Sequence, residues 1–376
     1  MTPPARDCLA EAMRLLEEVA LVDGHNDLPY LMRRDAGGDP VAYGLRERRP
    51  ERDTDIERLR AGRVSGQFWA AFVPPRSTRP AAYALQQIAL IRRLALLFPD
   101  VFMNASASSD IERAKREGKI ASFIAIENGA AIEEPCLDAL DAFYDLGVRL
   151  VTLCHNLTTQ WCDSATDRPK HNGLTDFGRR VVERMNRLGM LIDLSHVSDT
   201  AANQVLDQTA APVVWSHSNA RRLCDHRRNI PDETLARIAQ NGGMVMATFV
   251  PDFLSQRSRD WIAPLQDEHG KSPADVDIDA QIASRESSQG RWPLGGLTDL
   301  CDHLDYLAAV VGADHVGLGS DFFGGPQGPG LEDASCFPAV FAELLRRGWS
   351  RAALIKLASG NLIRVMGAVE AAAGAR

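Results

Sequence analysis

Short apolar runs recur along the chain, each followed by a stretch whose apolar residues return every three to four positions. Eight such runs stand out: residues 20–27 (ALVDGHND), 67–74 (QFWAAFVP), 121–128 (ASFIAIEN), 148–156 (VRLVTLCHN), 190–196 (MLIDLSH), 212–217 (PVVWSH), 244–250 (MVMATFV) and 315–321 (HVGLGSD). The segments between them, such as YALQQIALIRRLALLF and DFGRRVVERMNRLG, are amphipathic, and several end near Gly, where a left-handed residue closes a helix. Eight strand-like runs alternating with helical segments predict an α/β fold: a (β/α)8 TIM barrel with loop insertions and flanking helices, formed by residues 1–376 as one domain. A doubly wound open sheet is the rival, but no G-x-G-x-x-G follows the first strand, so its dinucleotide-binding form loses its best support.

A barrel of this kind takes about 250 residues, so the excess must lie in insertions. Residues 31–64 are rich in Arg, Asp and Gly, and residues 252–295 form a polar stretch between the seventh and eighth predicted strands. Long insertions after a strand lie on the face where active sites are built, which makes 252–295 a candidate lid.

Composition narrows the partners. The 376 residues are 45% hydrophobic and 24% charged, with 42 basic against 50 acidic side chains and a formal charge of −8. Nothing resembles the basic footprint of a nucleic-acid binder. Leu9, Met13, Leu16 and Val19 repeat at helical spacing with glutamates between them, which reads as an amphipathic helix and not a secretory signal. With no long apolar C-terminal tail to precede a lipid anchor, the expectation is a cytoplasmic protein without a membrane anchor, and a homodimer is the default assembly. The seven cysteines are scattered, with no C-x-x-C pair, and are expected to be reduced.

The strand ends carry the chemistry. The first run ends in His25 and Asp27, the third in Glu127, the fourth in His155, the fifth in His196, the sixth in His217 and the eighth in Asp321. Each alone has an ordinary explanation as a cap or a hydrogen-bonded core residue. Together they occupy the same rim of one barrel, and histidines with carboxylates are the ligand set of zinc and similar ions. They exceed the needs of one ion; two ions sharing a bridging carboxylate would use them, with Glu127 as the best bridge. His171, His226, His269, His303 and His315 fall in loops, helices or the opposite strand end and are expected to be non-ligands.

These stretches also resemble the membrane (renal) dipeptidase family of the amidohydrolase superfamily. The resemblance is carried in order by DGHNDLP, GQFWAAFVP, AIENG, TLCHN with WCDSATD, LTDFGRRVVERMNRLGMLIDLSHVS, WSHSNAR, RRNIPD and GLGSDF, from residue 23 to 322. It implies a (β/α)8 barrel with two Zn2+ per chain, one on His25, Asp27 and Glu127, the other on Glu127, His196 and His217. It further implies Asp321 as proton carrier, His155 at the substrate carbonyl, and Arg228 as the grip on a dipeptide's free carboxylate. The implied activity is hydrolysis of dipeptides, with L or D residues at the C-terminal position, by attack of a hydroxide between the metals. The chain departs from the family at SDFFGG, where position 323 is commonly acidic, and at FVPDF, where some relatives have an aromatic residue at the strand end. The alternatives are another binuclear amidohydrolase, such as a lactonase, cyclic amidase, deaminase or β-lactam hydrolase, or a scaffold that has lost catalysis.

Overall fold

Along β4 (Ile120–Glu127), Ala121, Phe123 and Ala125 pack into the barrel interior, while Ile124 and Ile126 pack outward with the helices. That alternation is the strand period, and it leaves Glu127 pointing inward at the open end. In the computed structural model of the protein, which describes residues 5–267 and 278–374, the same logic holds around a parallel sheet. Its strands are β1 (Val22–Asn26), β2 (Gly66–Phe72), β3 (Phe102–Asn104), β4, β5 (Val148–Thr152), β6 (Leu191–Asp193), β7 (Val214–Trp215), β8 (Met244–Ala247) and β9 (Val316–Leu318). The order β1-β2-β4-β5-β6-β7-β8-β9 runs round the barrel. The ring closes where Asp321 N–H donates to His25 O and Asp27 N–H to Phe322 O, both at 3.1 Å.

The eight predicted runs match the eight barrel strands; β3 was not anticipated. It lies on the lower edge of β4, pairing with Ile120–Ser122 below the point where β5 begins at Ile124. Three residues give no alternation long enough to read.

The barrel is filled and plugged. Phe68 and Phe123 stack at its centre with centroids 4.7 Å apart, and Leu362, Val365, Met366 and Val369 of the C-terminal helix join the same cluster. That helix region, Arg351–Ala373, is long and apolar enough to cross a bilayer by composition, and half of the window concerned is buried within the fold.

Both insertions are structured where described. Residues 31–64 hold a helix Ile56–Ala61, capped by the Asp55 side chain on Arg58 N–H. Arg58 pairs with Asp55 and, at 2.8 Å, with Asp333. The second insertion folds into helices Pro251–Leu254, Gln256–Asp267 and Ile278–Gln289. The Trp261 and Trp292 rings stack at 5.7 Å, and Trp292 Nε1 donates to Ser258 Oγ at 2.8 Å. Residues 268–277 of the candidate lid lie outside the described residues.

Candidate metal centre

The other six strand-end residues gather around Glu127, four of them directly and two through His25. Its Oε2 lies 3.5 Å from His25 Nε2, and its Oε1 lies 3.3 Å from His196 Nε2, 3.6 Å from His155 Nε2 and 3.8 Å from His217 Nε2. His25 Nε2 in turn lies 3.6 Å from Asp27 Oδ2 and 3.8 Å from Asp321 Oδ1. The two oxygens of one carboxylate thus face two different sets of donors.

Local structure explains how each side chain gets there. Val22 and Asp23 pair with Gly66 and Gln67, but Asn26 pairs with Trp69, so β1 carries one extra residue between Asp23 and Asn26. A bulge shifts the parity of the strand after it, and this one brings His25 to the inward-facing Glu127. Asp27 is not a strand residue: it is the N-cap of the helix Leu28–Ala36, and its side chain makes no cap bond, leaving the carboxylate for the site. His25 and Asp27 thus reach the same place from different elements, one from a bulged strand and the other from a helix cap. His196 and Asp321 sit beyond their strands in left-handed backbone at φ 68° and 62°, a conformation uncommon for such residues and found where geometry is over-determined by function.

Second partners orient two of the histidines. His196 Nδ1 is 3.0 Å from Asn156 Oδ1, which as an acceptor fixes the proton on Nδ1 and leaves Nε2 a lone pair toward Glu127. His217 Nδ1 is 2.8 Å from Ser216 Oγ, whose own proton goes to Asp193 Oδ2 at 2.7 Å. Asp193 also accepts from Thr152 Oγ1 at 2.6 Å. Sequence reading missed Asn156, Asp193 and Ser216, although Asp193 and Ser216 stand on or beside the strands whose ends it read.

Clustered buried carboxylates and imidazoles shift one another's protonation. Burial, with Glu127 and Asp27 close by, pushes the Asp321 carboxyl well above the carboxylate range, and burial with Glu127 raises Asp27. Burial and nearby positive groups hold His196 and His217 well below the ordinary imidazole range, so both are neutral ligand-ready rings. Burial opposes a charged His25, but Glu127 and Asp27 outweigh it and lift this ring well above its usual value. His155 is lowered to about 3 by burial and then by Arg228. His25 Nδ1 and Nε2 and His217 Nε2 are buried without hydrogen-bond partners. Buried polar atoms left unpaired beside clustered carboxylates are costly unless a cation joins them. Three triads, His25 with Glu127 and His217, Glu127 with His155 and His196, and His25 with Asp27 and Asp321, each bring their ligand atoms within 4.8 Å of one another. The donor set fits divalent zinc-like ions.

The expected non-ligands that are described have other partners. His171 Nε2 meets Thr159 O, His303 accepts from Ala220 N–H and faces Leu254 O, and His315 Nδ1 meets Gly243 O. His226 Nδ1 accepts Arg228 N–H at 3.0 Å; His269 lies outside the described residues.

Residues 9–376 match the sequence profile described as Membrane dipeptidase (Peptidase family M19). The chain belongs to this family. Among its relatives is Dipeptidase 3 of Mus musculus, 37% identical over 368 residues, covering 96% of this chain and 66% of the mouse protein. Dipeptidase 3 of Homo sapiens is 36% identical over 377 residues, covering 98% of this chain and 69% of the human one. The chain thus spans about two thirds of the length of these relatives. The crystal structure of the probable dipeptidase PvdM from Pseudomonas aeruginosa superposes with TM-score 0.83 at 28% identity, over 98% of this chain and 99% of that one. A Rhodobacter sphaeroides metallopeptidase, liganded with a phosphinate mimic of L-Ala-D-Ala, shares the fold at TM-score 0.77 and 24% identity, over 93% and 99% of the two chains.

Proposed function

We propose that this M19 family member is a zinc-dependent dipeptidase that cleaves L-Xaa-L-Xaa and L-Xaa-D-Xaa dipeptides. The observation that carries the metal part is Glu127, whose two oxygens face separate donor sets and so suit a bridging role between two ions. In this reading His25, Asp27 and Glu127 would hold one Zn2+, and Glu127, His196 and His217 would hold the other. When bound, a zinc pair supplies Lewis acidity and brings the pKa of water to about 7 in favourable sites.

The remaining steps belong to the chain. Asp321, beside His25, takes the proton of the attacking water and passes it to the leaving amine. His155, a neutral ring between Phe72 at 4.9 Å and His196 at 4.2 Å, donates to the carbonyl oxygen as charge develops there. Arg228 is buried, with an unpartnered Nε and, among the described residues, no carboxylate within ion-pair distance. A buried guanidinium kept without an anion is built to receive one, and a dipeptide's free carboxylate provides it. This favours a substrate with a free carboxylate, as a dipeptide has, over a neutral lactone or cyclic amide.

The test is a panel of L,L and L,D dipeptides offered to zinc-reconstituted protein, with metal content assayed beside Asp321→Asn and Arg228→Met. The expected result is about two zinc ions per chain, turnover by wild type, and an Asp321→Asn variant that keeps metal but not turnover. Bound metal with no dipeptide cleaved would overturn the assignment.

A further inference from the structure

Something must hold the Arg228 guanidinium before any substrate arrives. Its hydrogen bonds are long: Nη1 to Ser218 Oγ and Nη2 to His217 O, both 3.4 Å. A further organising group comes from the insertion. The Phe253 ring, in helix Pro251–Leu254, has its centroid 5.4 Å from Arg228 Cζ, within cation–π range. The same ring packs on His226, 4.4 Å away and inclined by 33°, and His226 Nδ1 accepts the Arg228 N–H.

The backbone on both sides is stitched together. Asn229 Nδ2 donates to Phe253 O at 2.8 Å and Cys224 Sγ to Asp252 O at 3.1 Å, while Asp252 Oδ2 accepts from Gln266 Nε2 at 3.2 Å. The loop carrying Arg228 and the first two helices of the insertion are thus one unit.

We propose that Phe253 is a positioning residue for Arg228, and that the insertion beginning at Pro251 thereby sets the preference for a free C-terminal carboxylate. This rests on the reading of Arg228 given above. A ring face stabilises the cation without neutralising it, so Arg228 stays oriented yet available to an anion, which a carboxylate partner would not allow.

The experiment compares kcat and KM of the zinc-loaded full chain for a dipeptide and for its C-terminal amide. Phe253→Leu, with Phe253→Met in its place should the first melt below assay temperature, is expected to raise KM for the free dipeptide about 10-fold. Its kcat and its handling of the amide stay near wild type, and Phe253→Trp, which keeps a ring, restores KM. An unchanged KM, or equal losses on both substrates, overturns the inference. Arg228→Met separates the two readings. Loss of acid-over-amide preference there, with Phe253→Leu silent, removes only the role of Phe253. An Arg228→Met variant with its preference intact, or a wild type that cleaves no dipeptide, removes the reading of Arg228 and the inference with it.

Discussion

Ser216 Oγ lies 2.8 Å from His217 Nδ1 and passes that ring's hydrogen bond on to Asp193, 2.7 Å away. A hydroxyl that donates to a carboxylate must accept from the imidazole, so a single arrangement of protons satisfies all three groups. This fixes His217 with its Nε2 lone pair toward Glu127. Outer partners of this kind are typically worth 10- to 100-fold in metal affinity. Ser216→Ala is therefore expected to lose metal about 10-fold more readily in dialysis against graded chelator. Metal retention equal to wild type would remove the relay from the account.

The zinc reading also predicts the cost of stripping the site. A ligand that binds only the folded chain, present at about 1,000 times its Kd, adds about 4 kcal/mol. Chelation should lower Tm by several degrees, and added zinc should restore it. A melting curve indifferent to chelator would mean that the ligand cluster holds no ion in solution.

Asp53, in the first insertion, accepts the N–H of Phe323 at 3.0 Å, two residues beyond Asp321. Burial, with the Asp333 charge adding to it, pushes its carboxyl from 3.8 up to about 6. Because the folded state binds this proton more tightly than the unfolded chain, ionisation costs stability. The loss begins as pH rises past the unfolded value and is complete above about 6. Asp53→Asn keeps an acceptor for Phe323 and removes the ionisation, so its Tm should exceed wild type at pH 8 and converge with it near pH 4. A Tm difference independent of pH would refute this.

Gly319 directly follows β9, and a Cβ there would sit 1.8 Å from the Ser216 carbonyl oxygen. Backbone cannot yield as a side chain can. Gly319→Ala is expected to cost about 3 kcal/mol in denaturant unfolding and to weaken metal retention by displacing the segment that holds His217. A variant with wild-type stability would show that the two segments can move apart here.

The barrel and its rim were legible because each rests on a local signal. Buried strands read as apolar runs, and a ligand at a strand's end is adjacent in sequence to the strand that aims it. What stayed hidden depends on register or on distant chain. The β1 bulge moves His25 by pairing with β2, which no property of DGHND announces. Asn156 and Ser216 are ordinary polar residues until folding sets them against a histidine. Phe253 meets Arg228 only because two loops from neighbouring strands are packed together, while β3 is too short to show a period at all.

The seam that closes the barrel joins distant parts of the chain. Asp23 accepts from both the N–H and the hydroxyl of Ser320, 297 positions away, and the plug of Leu362 to Val369 comes later still. During synthesis one edge of β1 has no partner until β9, the last of the barrel strands in chain order, has been made. The ring cannot shut on the ribosome's schedule of near neighbours first. Its last pairing and the floor beneath it both come from chain that follows β8, so the pocket is completed only after residues 316–369 have been made.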